Sequence, residues 1–402
     1  MKITKHTGIL FLLAFAGAAV MAQKAVPPFK VKQSTLPPKG YARPPFHLRG
    51  SAKSSPTGYG PPVIRNFYGF SQISNQGAGQ AIALIDAYDD PNIASDLNTF
   101  DSYYGLAPCT TSNGCFTKIY AAGSKPKANS GWGLEISLDV EWAHAIAPQA
   151  KILLVEAASN SFTNLMTAVQ VAVNDGATSV SMSFGGSEFS TEVSDDANFN
   201  QGGVTFTASS GDSGNGVEYP AASPYVVGIG GTTIITNSSG SYLGETAWSG
   251  SGGGQSKYEP EPAYQSNYPI PNDSAGMRGV PDAAYDGDPN TGLAVYDSFR
   301  YEGQSGWFQV GGTSAGSPQW AALFAIANSE RVAAGKATLS STDFDVYDAA
   351  AGSNYASDFH DITSGSNGTC GTLCTAAAGY DYVTGLGSPN APRIVTFLAG
   401  LP

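Results

Sequence analysis

Short apolar segments alternate with segments of helical periodicity along most of the chain, and this alternation constrains the fold more than any other feature. Apolar runs typical of buried strands lie at Ala81–Ile85, Ile152–Glu156, Ser179–Phe184 and Val204–Ser209. Helical patterns cover residues 130–147, 161–174 and 323–334. This order predicts an α/β fold with a largely parallel central sheet and helices on both faces. In such folds the chemistry lies at the carboxyl ends of the strands.

The first 58 residues differ in composition from the rest of the 402-residue chain. Residues 1–22 combine two lysines with an apolar run and a small-residue cleavage pattern at Ala22, which predicts a secretory signal peptide. A membrane anchor is the weaker alternative, because a spanning helix needs roughly 20 apolar residues. Residues 23–58 are rich in Pro, Lys and Ser, and we expect a flexible arm or short propeptide there. Residues 59–402 have a globular composition.

Charge is distributed unevenly along the chain. Residues 1–56 carry nine Lys and Arg and no Asp or Glu, whereas the remainder carries 11 Lys and Arg against 32 Asp and Glu. Binding to nucleic acid requires clustered Lys and Arg that neutralise phosphates, so we do not expect it of this acidic body.

The four cysteines form two close pairs in the sequence, Cys109/Cys115 and Cys370/Cys374. An exported protein can form disulfides, and local bridging is the simplest pairing. A zinc site is the alternative, but none of the four histidines lies near a cysteine pair in the sequence.

Ser314 is the candidate nucleophile. It lies in a Gly-rich segment just before a helical pattern, where small neighbours leave a hydroxyl open and backbone N–H donors are close. A Ser that caps a helix is the commoner outcome of such a local sequence. A base is not obvious, since His144 lies in mid-helix and His360 in a polar loop, but a Ser/His/Asp triad stays open.

Glu135 and Asp139 are four residues apart on a predicted helix and therefore share one face. If this pair is buried, it shares a proton and one pKa rises strongly, which suits a carboxylate that accepts the proton of a serine hydroxyl. By spacing alone a solvated acidic face is the commoner outcome, and Glu141 is assigned to that face.

Two further groups of carboxylates follow predicted strands or lie in loops. Asp212 comes after an apolar strand in a Gly-rich turn, where a neutral carboxyl can donate a hydrogen bond to an oxyanion. Asp361 and Asp381 bracket a loop near the C-terminus, and carboxylates with loop carbonyls suit Ca²⁺. For both groups the alternative is an Asp that bonds to its own backbone in a turn.

Together these segments resemble the sedolisin family, the serine-carboxyl peptidases with a subtilisin-like fold. The resemblance extends from about Tyr59 to Pro389, and four motifs occur in the family's order. The motifs are Glu135-x-x-Leu-Asp139, Ser209-Ser-Gly-Asp212, Gly312-Thr-Ser314-Ala-x-x-Pro318, and Asp361-Ile362 followed by Gly379-Tyr-Asp381.

The resemblance implies a secreted, serine-type endopeptidase that hydrolyses proteins at acidic pH, with residues 59–402 as its catalytic domain. Ser314 would be the nucleophile, Glu135 its general base, and Asp139 the residue that orients Glu135. Asp212, in its protonated form, would supply the oxyanion hydrogen bond. One structural calcium ion would be held by the side chains of Asp361 and Asp381 and by the carbonyls of Ile362, Ala377 and Gly379.

Several further expectations follow from the resemblance. Asp86 resembles the aspartate on a subtilisin strand, but without a matching His motif we interpret it as structural. Family members usually carry a long folded pro-domain, and here residues 23–58 are available for that role. We therefore hypothesise that this cationic arm docks on the acidic body and is removed on activation.

The expected partners are protein or peptide substrates, with neither nucleic acid nor a membrane, and we expect a monomer that is extracellular or periplasmic. Two alternatives remain at this stage. One is a subtilisin-type peptidase with a Ser/His/Asp triad, and the other is a non-catalytic secreted binding module on the same scaffold.

Overall fold

The structure is a computed structural model that describes Met1 and residues 37–268, 270–271, 275–340 and 342–402. Most of the predicted signal peptide and residues 23–36 of the arm lie outside the described residues. The chain described from residue 37 onward falls within one compact unit, Val31–Pro402.

Strands and helices alternate through the described chain. The strands are β1 (His47–Leu48), β2 (Ala81–Ala87), β3 (Phe116–Tyr120), β4 (Lys151–Ala157), β5 (Ser179–Met182), β6 (Gly186–Ser187), β7 (Thr205–Ser209), β8 (Glu218–Tyr219), β9 (Val227–Thr236), β10 (Tyr242–Ala247), β11 (Gly254–Pro260), β12 (Met277–Val280), β13 (Ala283–Asp286), β14 (Leu293–Tyr301), β15 (Gln304–Gly311), β16 (Phe359–His360) and β17 (Ser388–Pro389). The helices are α1 (Pro61–Phe67), α2 (Ile93–Tyr104), α3 (Ser130–Ile146), α4 (Phe162–Asn174), α5 (Ala263–Asn267), α6 (Gly316–Ala333), α7 (Thr342–Ala351), α8 (Tyr355–Asp358) and α9 (Ala391–Gly400).

An eight-stranded sheet organises the molecule, in the order β10-β9-β7-β5-β2-β4-β3 with β13 also paired to β9. Its pairs are parallel except for β9 with β10 at one edge. The four apolar runs singled out in the sequence are β2, β4, β5 and β7, which occupy adjacent positions in this sheet. The prediction of a largely parallel α/β sheet is therefore confirmed.

Alternate residues of β2 enter two different cores. Ile82 and Leu84 belong to the core that contains α3 and α6, whereas Ala83 and Ile85 belong to the core that contains α4. Helices thus cover both faces of the sheet, as predicted, and burial on both faces explains why β2 and β4 are almost continuously apolar.

Helix α3 is buried along nearly all of its length. It begins after Asn129, whose side-chain oxygen accepts the N–H groups of Gly131 and Trp132, and it ends before Pro148. Residues 132–146 are all buried, because the helix packs against β2, β14 and α6. The commoner alternative of a solvated acidic face is therefore wrong for this helix.

The predicted helix over residues 323–334 is longer than expected. It is α6, which begins at Gly316, directly after a short 3₁₀ turn at Thr313–Ala315. This earlier start brings the beginning of the helix to the candidate nucleophile, Ser314.

The described part of the N-terminal arm, residues 37–58, is packed rather than free. β1 pairs antiparallel with β15, and isolated bridges join Tyr41 to Ser161 and Arg43 to Gly185. The expectation of a flexible arm is therefore wrong for this part, because its backbone hydrogen bonds are made with the body of the protein.

Two further sequence features are resolved by the structure. Disulfides join Cys109 to Cys115 and Cys370 to Cys374, so the predicted local pairing is confirmed. Among the described helices, none combines the length and the apolar character that a bilayer crossing requires.

Candidate active site

The carboxyl ends of neighbouring parallel strands gather the polar side chains of the candidate site. Asp86 lies near the end of β2, Ser183 directly follows β5, and Asp212 follows β7. Ser314 reaches the same edge from the 3₁₀ turn before α6, and Glu135 reaches it from α3. This is the edge where sequence reasoning expects chemistry in a sheet of this kind.

Ser314 is fully buried and is held by the turn that follows β5. Its Oγ donates to the carbonyl of Ser183 at 3.4 Å, and the Oγ of Ser183 donates to the carbonyl of Ser314 at 3.3 Å. The residue that caps α6 is Ala315. The interpretation of Ser314 as a helix cap is therefore wrong.

Glu135 is fully buried beside the Ser314 hydroxyl. Burial raises the pKa of Glu135 well above its usual range, the Ser314 hydroxyl lowers it by interacting with the carboxylate, and the charges of Asp86 and Asp212 raise it further. The contact with Ser314 does not meet standard hydrogen-bond geometry, since neither Glu135 oxygen has a hydrogen-bond partner among the described residues. Catalytic hydrogen bonds are often this loose without a substrate.

Asp139 and Asp86 complete a cluster of buried carboxyl groups with Glu135. Burial raises the pKa of Asp139 well above its usual range, the charges of Asp86 and Glu135 add to the increase, and the Ser183 hydroxyl opposes it. Both oxygens of each carboxyl lack a hydrogen-bond partner of standard geometry in the described chain. Groups packed in this way titrate together and share protons.

Asp86 and Ser183 belong to this site although sequence reasoning had assigned neither to it. Burial raises the pKa of Asp86 strongly, and its neighbour in the register of β2 and β4 is Glu156, whose charge adds to the increase. One signal was available: an aspartate at the end of an apolar strand that is buried on both faces. The interpretation of Asp86 as structural did not foresee that its charge raises the pKa of Glu135.

Asp212 has one oxygen that is hydrogen-bonded and one that is not. Its Oδ1 accepts the Thr313 N–H at 2.8 Å and the Thr313 hydroxyl at 2.9 Å. Its Oδ2 is buried and has no hydrogen-bond partner of standard geometry among the described residues. Burial raises the pKa of Asp212 to about 7, against the lowering effect of the two Thr313 bonds. The alternative of a turn aspartate bonded to its own backbone is therefore wrong.

The histidines named for a Ser/His/Asp triad contact other parts of the molecule. His144 Nε2 lies 2.9 Å from the carbonyl of Ala107, and the His360 ring stacks on Tyr242 with 3.8 Å between centroids. Burial lowers the pKa of both imidazoles to about 4. A third histidine, His47 in strand β1, has its Nε2 3.5 Å from Asp212 Oδ2.

The expected calcium ligands are brought together by the loops at 361–362 and 377–381. The Asp361 carboxylate accepts the Gly379 N–H at 3.1 Å, and the Asp381 carboxylate accepts the Ala377 N–H at 3.1 Å. The carbonyls of Ile362, Ala377 and Gly379 accept no hydrogen bond from the described residues. Two carboxylates with three free carbonyls fit the oxygen donor set that Ca²⁺ prefers.

Comparison with known proteins gives consistent results at the level of sequence and structure. The model of the subtilase family matches residues 119–351. Kumamolisin from Bacillus sp. (strain MN-32) is 34% identical, with 89% of this chain and 68% of kumamolisin covered. The chain belongs to the sedolisin family. Sedolisin from Pseudomonas sp. (strain 101) is 28% identical, with 87% of this chain and 62% of sedolisin covered.

A solved structure of a sedolisin extends this result to the fold. Pseudomonas sedolisin, a serine-carboxyl proteinase solved with two molecules of pseudo-iodotyrostatin, superimposes with a TM-score of 0.72 at 28% identity. The match covers 87% of this chain and 98% of that one. The chain is thus a sedolisin-family member of the serine peptidase class with the predicted subtilisin-like fold. It spans about two thirds of kumamolisin's length and somewhat less of sedolisin's.

Proposed function

We propose that this protein is a secreted serine-carboxyl endopeptidase that hydrolyses peptide bonds in proteins at acidic pH. One observation carries the proposal: the titratable group that interacts with the Ser314 hydroxyl is the buried carboxyl of Glu135. His144 and His360 contact other residues, which speaks against the alternative of a Ser/His/Asp triad. Membership of the sedolisin family supports the same conclusion.

In the proposed reaction, Ser314 Oγ attacks the carbonyl carbon of the peptide bond while Glu135 accepts the hydroxyl proton. Glu135 then donates that proton to the leaving amine, and the C–N bond breaks to give an acyl-enzyme. In the second half, water attacks the ester while Glu135 accepts a proton from it; the C–O bond to Ser314 then breaks, Glu135 returns the proton to Ser314 Oγ, and the carboxylic acid product leaves. Asp139 orients Glu135, and the buried carboxyl groups of Glu135, Asp139 and Asp86 share protons because burial raises the pKa of each.

Asp212 would stabilise the oxyanion that forms in both halves of the reaction. Its Oδ1 is held by two hydrogen bonds from Thr313, so a proton on the acid belongs on the free Oδ2. An ionised Asp212 would repel the oxyanion, and the pKa of about 7 keeps the acid protonated below neutral pH. Activity should therefore decline as pH rises through 7.

We also propose one structural calcium ion, held by Asp361, Asp381 and the carbonyls of Ile362, Ala377 and Gly379. The ion would tie the two loops together and takes no part in the reaction. The substrates are protein or peptide chains. Arg43 bridges to Gly185, and His47 lies 3.5 Å from Asp212, so residues 43–48 of the arm cover the candidate active site. A substrate can enter only after this segment leaves or is removed.

The proposed function is tested by cleavage of a denatured protein across pH 2 to 9, with mass spectrometry of the products. We expect activity at acidic pH that falls by about 10⁶-fold in Ser314→Ala and by about 10²–10⁴-fold in Glu135→Gln. His144→Ala and His360→Ala are the matched controls and should keep activity. Loss of activity in either histidine variant, with activity retained in Glu135→Gln, would overturn the proposal. No cleavage at any pH by the wild type after removal of the arm would favour a binding module.

A further inference from the structure

Residues 43–48 run through the cleft beside Ser314 as an extended segment. The N–H of Arg43 donates to the carbonyl of Gly185 at 2.9 Å, and the N–H of Gly185 donates to the carbonyl of Arg43 at 3.0 Å. Further along the segment, β1 pairs antiparallel with the last residues of β15, just before the nucleophile turn. The segment is therefore held by backbone hydrogen bonds on both sides of Ser314, as an added strand would be.

The register of this segment follows from the carbonyl that faces Asp212. Gly312 has a φ of +125°, and a Cβ built on it would lie 2.3 Å from the carbonyl oxygen of Pro45 and 2.5 Å from Asp212 Oδ2. The two oxygens thus face the same small space, which only glycine leaves open. The carbonyl of Pro45 takes the place where the polarised carbonyl of a substrate would meet the proposed oxyanion donor. The bond from Pro45 to Phe46 then corresponds to the bond that is cut.

The side chain of Arg43 enters a small acidic pocket. Its Nη2 lies 3.0 Å from Ser213 Oγ and 3.2 Å from Glu218 Oε1, and Glu218 is 4% exposed. Glycines make room for this carboxylate, because a Cβ on Gly185 or Gly211 would lie 2.5 Å or 2.7 Å from a Glu218 oxygen. The pocket is therefore built around a buried carboxyl group, and burial raises its pKa to about 7 against the opposing charge of Arg43.

We propose that Glu218, together with Ser213, forms a subsite for a basic substrate side chain at the third residue before the cleaved bond. Arg43 occupies this subsite because residues 43–48 lie in the register of a substrate. The inference rests on the proposed peptidase function and adds a substrate class to it: peptides with Arg or Lys at that position.

Desolvation explains why such a subsite would be selective. A neutral substrate side chain at this position would cover Glu218 without neutralising it, and a covered, unpaired carboxylate is strongly unfavourable. An Arg or Lys side chain pairs with the carboxylate and lowers the pKa that burial raises, so it favours the ionised form of Glu218. Discrimination therefore comes as much from the penalty on neutral side chains as from attraction to basic ones.

The first test needs no catalysis and uses the full chain with Ser314→Ala. Hydrogen–deuterium exchange would be followed for the backbone amides of this segment, those of residues 43 and 46–48, since Pro44 and Pro45 have none. We expect Arg43→Gln and Glu218→Gln each to speed their exchange by at least about tenfold. Glu141→Gln is the matched control, since Glu141 is equally buried but accepts the N–H of Tyr296, away from the segment. Unchanged exchange in both test variants would overturn the proposal, and Arg43→Gln decides the result if Glu218→Gln does not fold.

The second test uses the active wild-type enzyme and two fluorogenic peptides. The peptides differ only at the third residue before the cleaved bond, with Arg in one and its uncharged isostere citrulline in the other. We expect kcat/KM to favour the Arg peptide by at least about tenfold in the wild type and by less than about twofold in Glu218→Gln. An equal preference in both enzymes, or none in the wild type, would overturn the subsite.

The two tests separate failure of this inference from failure of the proposed function. If denatured protein is cleaved but the Arg preference does not depend on Glu218, the subsite is wrong and the peptidase function stands. If the wild type cleaves nothing even after the arm has been removed, the peptidase function is wrong, and the exchange experiment on the full chain still decides whether Glu218 binds the basic side chain.

Discussion

The environment of Asp212 suits the proposed role of hydrogen-bond donor to the oxyanion, which an ionised aspartate could not fill. Two hydrogen bonds from Thr313 fix Oδ1, and burial leaves Oδ2 with no partner of standard geometry in the described chain. Burial raises the pKa of this acid to about 7. An acid with a raised pKa keeps its proton below that value and loses it above, so the donor is present in acid and lost near neutrality.

Replacing Asp212 by Asn tests this role, because an amide is a donor at every pH. We expect the decline in kcat/KM near pH 7 to disappear in Asp212→Asn, whereas Asp212→Ala lowers kcat by about 10²–10³-fold at acidic pH, where the wild type has its donor. The measurement is a pH profile of kcat/KM on one peptide substrate. A decline that stays near pH 7 in Asp212→Asn would assign it to another group.

At the scale of single elements, the loops at 361–362 and 377–381 bring two carboxylates to the backbone of the second loop. Their side chains accept N–H groups from Gly379 and Ala377, while the loop carbonyls stay free of hydrogen bonds from the described residues. A cation bound there would link the two loops. Such an ion stabilises the folded state because the unfolded chain lacks the site.

Removal of calcium should therefore lower thermal stability. A chelator is expected to lower the Tm of Ser314→Ala protein by about 5 °C, the effect of an ion present at about 100 times its Kd. Asp381→Asn should show the lower Tm with or without calcium, measured by calorimetry. Asp358→Asn is the control, since Asp358 pairs with Arg393 outside these loops, and it should keep the response to the chelator. A Tm of the Ser314→Ala protein that does not change when the chelator is added would contradict the calcium site.

For the whole molecule, the number of buried acids is the dominant electrostatic property. Burial raises the pKa of Asp90, Glu192 and Glu259 to about 8 in each case. In the unfolded chain these groups ionise near pH 4. Between pH 4 and pH 8 the unfolded state therefore releases protons that the folded state keeps, so unfolding becomes more favourable as pH rises.

We expect the free energy of unfolding to be greatest near pH 4 and to fall by at least about 3 kcal/mol by pH 8. Denaturant titrations of the Ser314→Ala protein at several pH values measure this without self-digestion. Asp90→Asn should make the decline with pH less steep, because it removes one of the groups that hold a proton. Stability that rises from pH 4 to pH 8 would contradict the assignment of these acids as neutral in the folded protein.

The sequence by itself determined the positions of β2, β4, β5 and β7, the local disulfides, and the order of the family motifs. These features depend on short-range patterns: hydrophobic periodicity, the spacing of cysteines, and residues adjacent in the chain. The start of α6 was placed too late, because its first turn is rich in small and polar residues and lacks an apolar pattern.

Only the tertiary structure decided which acidic residues are buried, which charges lie near them and how their pKa values shift. The spacing of Glu135 and Asp139 fits an exposed face as well as a buried one, and burial between β2, β14 and α6 settled it. Asp86 joins them from a strand that is distant in sequence, and Arg43 meets Glu218 across 175 positions. The pKa of a carboxyl depends on desolvation and on charges brought near by folding, and no local pattern encodes either of these.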